Sequence, residues 1–147
     1  AKSSLSASRT FNLNQGEKNG ILKDQAVIVG AGVIIGKILS VEKNSSIVLL
    51  LTDHNSRLAV SLEGETISGG ILRGNQGLSL ILDFAPLDAV LKPKQKVLTA
   101  GVEPGIPQGL IAGEIESLIP AEDSLFQTAV VKPMIDYDKL TVVGVVE

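Results

Sequence analysis

Apolar and polar residues alternate along short stretches of this chain, and glycine, proline, asparagine or serine interrupts each of them. Side chains of a strand point alternately to its two faces, so the pattern predicts strands with one buried face. Phe11-Asn12-Leu13-Asn14 opens the series after a small, polar stretch. Residues 26–29 and 34–41 follow, separated by Gly30-Ala31-Gly32. Ile47-Val48-Leu49-Leu50-Leu51 has no polar member and predicts a strand buried on both faces. Residues 57–62, 69–74 and 78–82 read as further strands, and 83–88 as a crossing between two modules. In the second half, 96–99, 110–119, 126–131 and 141–146 read as strands. No stretch sustains a helical period, apart from a turn near 86–91. Short strands at close spacing with Gly and Pro turns predict an all-β sandwich or barrel pair.

One phrase is written twice. Gly32-Val33-Ile34-Ile35-Gly36-Lys37-Ile38-Leu39-Ser40-Val41 reappears as Gly109-Leu110-Ile111-Ala112-Gly113-Glu114-Ile115-Glu116-Ser117-Leu118. A second echo precedes each copy, over 21–28 and 90–98, with one extra residue in the later version. Two matched pairs in the same order predict two small related β-barrels in tandem. The expected division is a flexible lead-in over 1–10, a first barrel over 11–83 and a second over 84–147, with terminal strands free to cross between them. Gly32, Gly36, Gly109 and Gly113 are expected to set barrel turns and bulges. Gly36→Val is accordingly expected to impair folding. A duplicated β module needs no active site, so the repeat points to a scaffold or binding protein.

Composition narrows the picture. Apolar residues are 44% of the 147, enough for a core, while aromatics are only 3%. That core must be built from Val, Ile and Leu, of which Val and Ile favour strands. The net charge of −3, without a basic patch, argues against a nucleic-acid partner. The absence of cysteine excludes disulfides, thiolate metal sites and Cys nucleophiles. No run reaches the roughly 18 apolar residues of a membrane span. The start at Ala1-Lys2-Ser3-Ser4 reads as a trimmed piece, which leaves an upstream anchor open.

Candidate chemistry is thin. A pair of small β-barrels can host a Ser-His-Asp triad. His54 is the one histidine, and Ser68-Gly69-Gly70 faintly echoes a nucleophile loop. Between them stand only Glu63 and Glu65, while Asp83 and Asp88 come too late for the chymotrypsin-like order. The bland reading, a loop histidine and a turn serine, is preferred. Glu114 with Glu116, and Asp136 with Asp138, share strand faces as solvated pairs do, and Glu63 with Glu65 is no better as a glycosidase pair. Gly30-Ala31-Gly32 lacks the third glycine and the helix of a dinucleotide site. No catalytic residue, metal, cofactor or small-molecule substrate is expected.

The ordered phrases resemble a known family. They are Gln15-Gly16-Glu17-Lys18-Asn19-Gly20-Ile21, the first Gly-apolar-Gly repeat, and Ser45-Ser46 through Thr52-Asp53-His54-Asn55-Ser56. Gly69-Gly70-Ile71-Leu72-Arg73-Gly74, Val97-Leu98-Thr99-Ala100-Gly101 and Ile106-Pro107-Gln108-Gly109 follow, and then Leu125-Phe126-Gln127 through Lys132-Pro133 to Leu140. In this order they resemble the extracytoplasmic β-rich part of the rod shape-determining protein MreC family, over nearly the whole chain. The family often has Pro where His54 stands, Gly-Asp at Gln95-Lys96 and Ser at Ala100. The motif residues carried over are Gly32, Gly36, Thr52, Asp53, Asn55, Ser56, Gly69, Gly74, Gly101, Pro107, Gly109 and Gly113.

The resemblance implies two small β-barrels on the cell-wall side of the bacterial inner membrane, anchored by an N-terminal helix that this chain lacks. It implies a non-catalytic scaffold of the elongation machinery. The partners it implies are the elongation-specific class B penicillin-binding protein, the membrane protein MreD and, indirectly, MreB. An unrelated β-barrel adaptor is the alternative, with a degenerate chymotrypsin-like protease behind it. A scaffold without a pocket binds through an exposed strand edge, to a partner or another copy, or through an apolar patch. Val33, Ile34, Ile35, Val102 and Ile106 are the candidate patch residues, and a core role is the competing reading of each.

Overall fold

The computed structural model describes residues 9–64, 68–120 and 125–146. Among them the chain forms eleven strands and two single turns of 3-10 helix, and no α-helix. The strands are β1 (Thr10–Leu13), β2 (Ala26–Val29), β3 (Val33–Val41), β4 (Ser46–Leu50), β5 (Arg57–Leu62) and β6 (Ser68–Asn75). They continue as β7 (Ser79–Ala85), β8 (Lys96–Thr99), β9 (Ile111–Ile119), β10 (Gln127–Lys132) and β11 (Gly144–Val145). No helix among the described residues is long and apolar enough to cross a membrane. The all-β class read from the two-residue period is the observed one. Where the sequence suggested a strand buried on both faces, only Val48 and Leu50 of β4 are fully buried, and Ile47 and Leu49 are half-buried.

Six strands close a ring. β5 pairs with β6, β6 with β7, β7 with β10, β10 with β9, β9 with β8, and β8 returns to β5, every pair antiparallel. Closure leaves this barrel without a free edge. The other five strands run in the order β1-β4-β3-β2-β11, again antiparallel throughout, and among the described residues no ladder joins β11 back to β1.

The boundary at Asp83 read from the sequence is therefore displaced. Pairing changes between β4 and β5, across residues 51–56, so β5, β6 and β7 belong with the second barrel. β11 crosses back to the first. Local sequence marks turns equally well whether the next strand stays in its sheet or leaves it, which is why the crossing at 83–88 was misplaced. The expected lead-in also ends early, because Thr10 already pairs with Leu49 and the Arg9 N–H donates to the Asp53 carboxylate at 2.6 Å. Residues 1–8 lie outside the described residues.

The repeat has a physical cause at its second glycine. A Cβ on Gly36 of β3 would run into the carbonyl oxygen of Leu49 on the neighbouring β4. On Gly113 of β9 it would meet the carbonyl of Lys132 and the side chain of Val131 on the neighbouring β10. The same strand thus approaches the same neighbour too closely for any side chain in both barrels. Gly32 lies in the turn between β2 and β3, where neither a close neighbour nor a positive φ requires glycine.

The barrels share one continuous core dominated by Val, Ile and Leu. β3 and β9 touch in a single parallel pair, Val33 with Ile111, and Ile111 N–H donates to the Gly32 carbonyl at 2.8 Å. Ala26 N–H donates to the Gly105 carbonyl at 3.1 Å. Glu103 bridges the two halves, with one carboxylate oxygen 2.7 Å from Lys37 Nζ on β3 and the other accepting from Ala59 N–H on β5 at 2.8 Å.

Candidate interaction surfaces

The segment connecting the barrels holds the Thr52-Asp53-His54-Asn55-Ser56 motif, and its chemistry is structural. The Asp53 side chain is fully buried and accepts from the backbone N–H groups of Arg9 and Asn55 at 2.6 and 2.8 Å. A buried carboxylate is tolerated when its lone pairs are filled in this way. Thr52 and Ser56 are buried beside it, while His54 and Asn55 are exposed. Gly74 of β6 lies so close that a Cβ there would strike the Asp53 carbonyl. Asp83 is held by Arg73 at 2.5 Å. Asp83, weighed as a partner for His54, is thus committed elsewhere. The side chain of Ser68, and Glu65, lie outside the described residues.

The other motif residues also serve the frame. Gly69 backs onto the Leu62 side chain. Gly101 and Gly109 adopt positive φ in the loop between β8 and β9, and the Pro107 carbonyl accepts from Thr99 Oγ1 at 2.7 Å. Glu114 is bridged by Lys96 at 2.6 Å and Lys132 at 3.6 Å. The Lys96 hydrogen bond holds the Glu114 carboxyl below its ordinary range, and the same bond raises Lys96. Glu116 beside it is exposed. Asp136 accepts from Asp138 N–H, and Asp138 pairs with Arg9 at 3.1 Å.

The patch anticipated from sequence is not a patch. Ile34 and Ile35 are fully buried, because β3 runs between β2 and β4, and Ile106 in the loop between β8 and β9 is nearly so. Val33 is half-buried at the inter-barrel pair. Val102 alone of the five is well exposed. An apolar surface lies elsewhere, at one end of the closed barrel. Phe84 is the last but one residue of β7, Leu118 and Ile119 end β9, and Leu125 and Phe126 precede β10. The register brings them together, since Gln127 pairs with Ala85 and Thr128 with Ile119.

The Phe84 and Phe126 rings meet edge to face with centroids 5.5 Å apart, although they are 57% and 43% exposed. Two of the three phenylalanines in the chain thus sit together in solvent, where burial would have stabilised each by about 2 kcal/mol. Phe84 also holds a left-handed backbone, φ 63°, which a bulky residue rarely adopts. Strain of this kind is found where function requires a side chain to be presented. The Gln127 side-chain amide donates to the carbonyls of Pro86 and Ala89, both at 2.7 Å. This fastens the loop that carries exposed Leu87 and Val90. The sequence signal available was the scarcity of aromatics: in a chain with four, each is worth locating.

With this geometry in place, comparison with known proteins is informative. The family model described as rod shape-determining protein MreC, barrel core, matches residues 1–147. The chain belongs to the MreC family. The cell shape-determining protein MreC of Listeria monocytogenes is 32% identical over 137 residues, covering 88% of this chain and 46% of that protein. The chain thus spans about half the length of such curated relatives. A solved MreC structure from the same organism superimposes with a TM-score of 0.87 at 30% identity, over 99% of this chain and 70% of the other. A further neighbour is a complex between penicillin-binding protein PBP2 and MreC from Helicobacter pylori, with a TM-score of 0.74 at 21% identity, over 96% and 87% of the respective chains. At that identity the likeness speaks to the fold.

Proposed function

We propose that this MreC barrel region is a non-catalytic scaffold of the cell-wall elongation machinery that binds the elongation-specific class B penicillin-binding protein through the surface around Phe84 and Phe126. The observation that carries the reading is that exposed, paired and strained aromatic cluster on a rigid closed barrel. Interface energy concentrates in a few aromatic anchors within an apolar patch, and monomers rarely leave such patches uncovered. The Helicobacter complex of PBP2 with MreC supports the choice of partner. The scaffold works on the extracytoplasmic side of the inner membrane, where an N-terminal membrane helix anchors it, with MreD and, indirectly, the actin-like MreB as further partners. It promotes transpeptidation by binding one conformation of the enzyme more tightly than another.

The test is a titration of the protein against the periplasmic domain of its cognate transpeptidase, repeated with Phe126→Ala and Phe84→Gly. Loss of an anchor worth about 2 kcal/mol weakens binding by about 30-fold. Phe84→Gly relieves the left-handed backbone, so its thermal stability stays at or above that of the parent. Unchanged affinity in both variants would sink the assignment of this surface.

A further inference from the structure

Among the described residues the first barrel is one strand short, and the shortage has a direction. Five strands in an unbroken antiparallel series leave the first and last parallel to each other, so β1 and β11 both run the same way. The closed barrel has an even number, and all its pairs are antiparallel. The repeat matches β2 and β3 with β8 and β9, and the pairing extends the match to β4 and β10, the next antiparallel neighbours of β3 and β9. Each set is continued by a further strand at either end, β1 and β11 in one barrel, β7 and β5 in the other. In the closed barrel β6 joins those two flanking strands. No described strand stands in the equivalent place between β1 and β11.

That place is a groove. One cavity of about 300 Å³ is walled by Phe11, Asn12 and Leu13 on one side and by Tyr137, Leu140 and Val143 on the other. A second, of about 310 Å³, continues it from Leu13 and Asn14 to Gly144 and Val145. Backbone groups of both walls point into it. Leu50 N–H donates to the Arg9 carbonyl, so by antiparallel alternation Phe11 and Leu13 also face β4, and Thr10 and Asn12 face away from it. Val146 N–H donates to the Ala26 carbonyl, so Val145 faces away from β2. The Tyr137 side chain lines the cavity at 6% exposure, and its hydroxyl has no hydrogen-bond partner among the described residues. Backbone N–H and C=O groups unpaired among the described residues on two facing edges, an apolar floor and a buried hydroxyl without a described partner together fit one ligand class, an extended peptide backbone with apolar side chains at alternate positions.

We infer that the seam between β1 and β11 receives a single β-strand from a different polypeptide, antiparallel to both edges, which completes the first barrel to six strands. A second copy of this chain is the poorer donor. Among the described residues β2 to β10 are each paired on both sides, and only β1 and β11 have a free edge, which are the walls of the groove itself. The added strand pairs with Thr10 and Asn12, offers a carbonyl to the Tyr137 hydroxyl and lays its apolar side chains against Phe11, Leu13 and Val143.

The experiment is residue-resolved amide hydrogen exchange, with a capped heptapeptide of alternating Thr and Val as probe. In the protein alone the amides of Thr10, Asn12 and Val145 exchange at least about tenfold faster than those of Phe11 and Leu13, and the probe slows those three. The same peptide with its central amides N-methylated does not protect them. Asn12→Pro removes a donor that β4 does not use, so it leaves thermal stability intact and weakens probe binding by about tenfold. Tyr137→Phe weakens it without unfolding the barrel. Slow exchange at Thr10 and Asn12 in dilute protein would mean the edge is already covered, and protection that grows with protein concentration would give the seam to a second copy. Either result overturns the inference, as does undiminished binding by Asn12→Pro.

Discussion

The two barrels descend from one pattern and end differently. Both place a long central strand, β3 or β9, between a short partner and the next strand, and both need glycine where that strand crosses its neighbour. The closed barrel has spent all its edges on itself, so what it offers a partner is side chains, the paired rings of Phe84 and Phe126. The open one keeps two edges among the described residues, so what it offers is backbone. Rigid closure suits an anchor surface, whose side chains must stay where they are presented. An unclosed seam suits recognition through hydrogen bonds that any extended sequence can supply. One duplicated architecture thus yields two kinds of binding surface by the presence or absence of a single strand.

The largest effect that would break this comparison is at the matched glycines. Gly36→Val and Gly113→Val each force a side chain into a neighbouring carbonyl, and each is expected to cost about 3–5 kcal/mol or to prevent folding. Thermal melts near that of the parent for either variant would show that the repeat is not steric in origin. Next comes the tie between the barrels. Asp53→Ala strands the N–H groups of Arg9 and Asn55, at a cost of about 2–3 kcal/mol, and Asp53→Asn costs less because one acceptor remains. Chemical denaturation reads both, and equal losses would contradict the hydrogen-bond account.

The smallest effect separates the barrels by pH. Glu114 is held below its ordinary range by Lys96, so the stability it contributes is present above the unfolded carboxyl value and is lost as pH falls through the lower folded value. Lys96 is raised by the same bond, so its contribution is lost as pH rises through the raised value. Denaturation of the parent and of Glu114→Gln should therefore differ at neutral pH and converge in acid. A difference that persists in strong acid would argue against the pair.

Much of the fold was legible because strands announce themselves locally. Alternation over 57–62 and the glycine-bracketed stretch 69–74 correspond to β5 and β6, and the repeated phrase falls on β3 and β9. The family phrases were equally local, each a turn or a close approach that admits few residue types, as at Asp53 and Gly74. The interaction surface was not legible in the same way. Ile34, Ile35 and Ile106 are as apolar as any surface anchor, and composition does not say which apolar residue lies under another strand. Phe84 and Phe126 stand 42 positions apart and become one feature only through the pairing of β7 with β10.

The sequence by itself determined the all-β class, the duplication, the places of the turns and the family, because each rests on periods and residue types within a few positions of one another. Only the tertiary structure decided which strands share a barrel, that one barrel closes and the other does not, and which apolar residues reach solvent. Those outcomes depend on the parity and partners of strands far apart in the chain, and a local pattern carries no record of its distant neighbour.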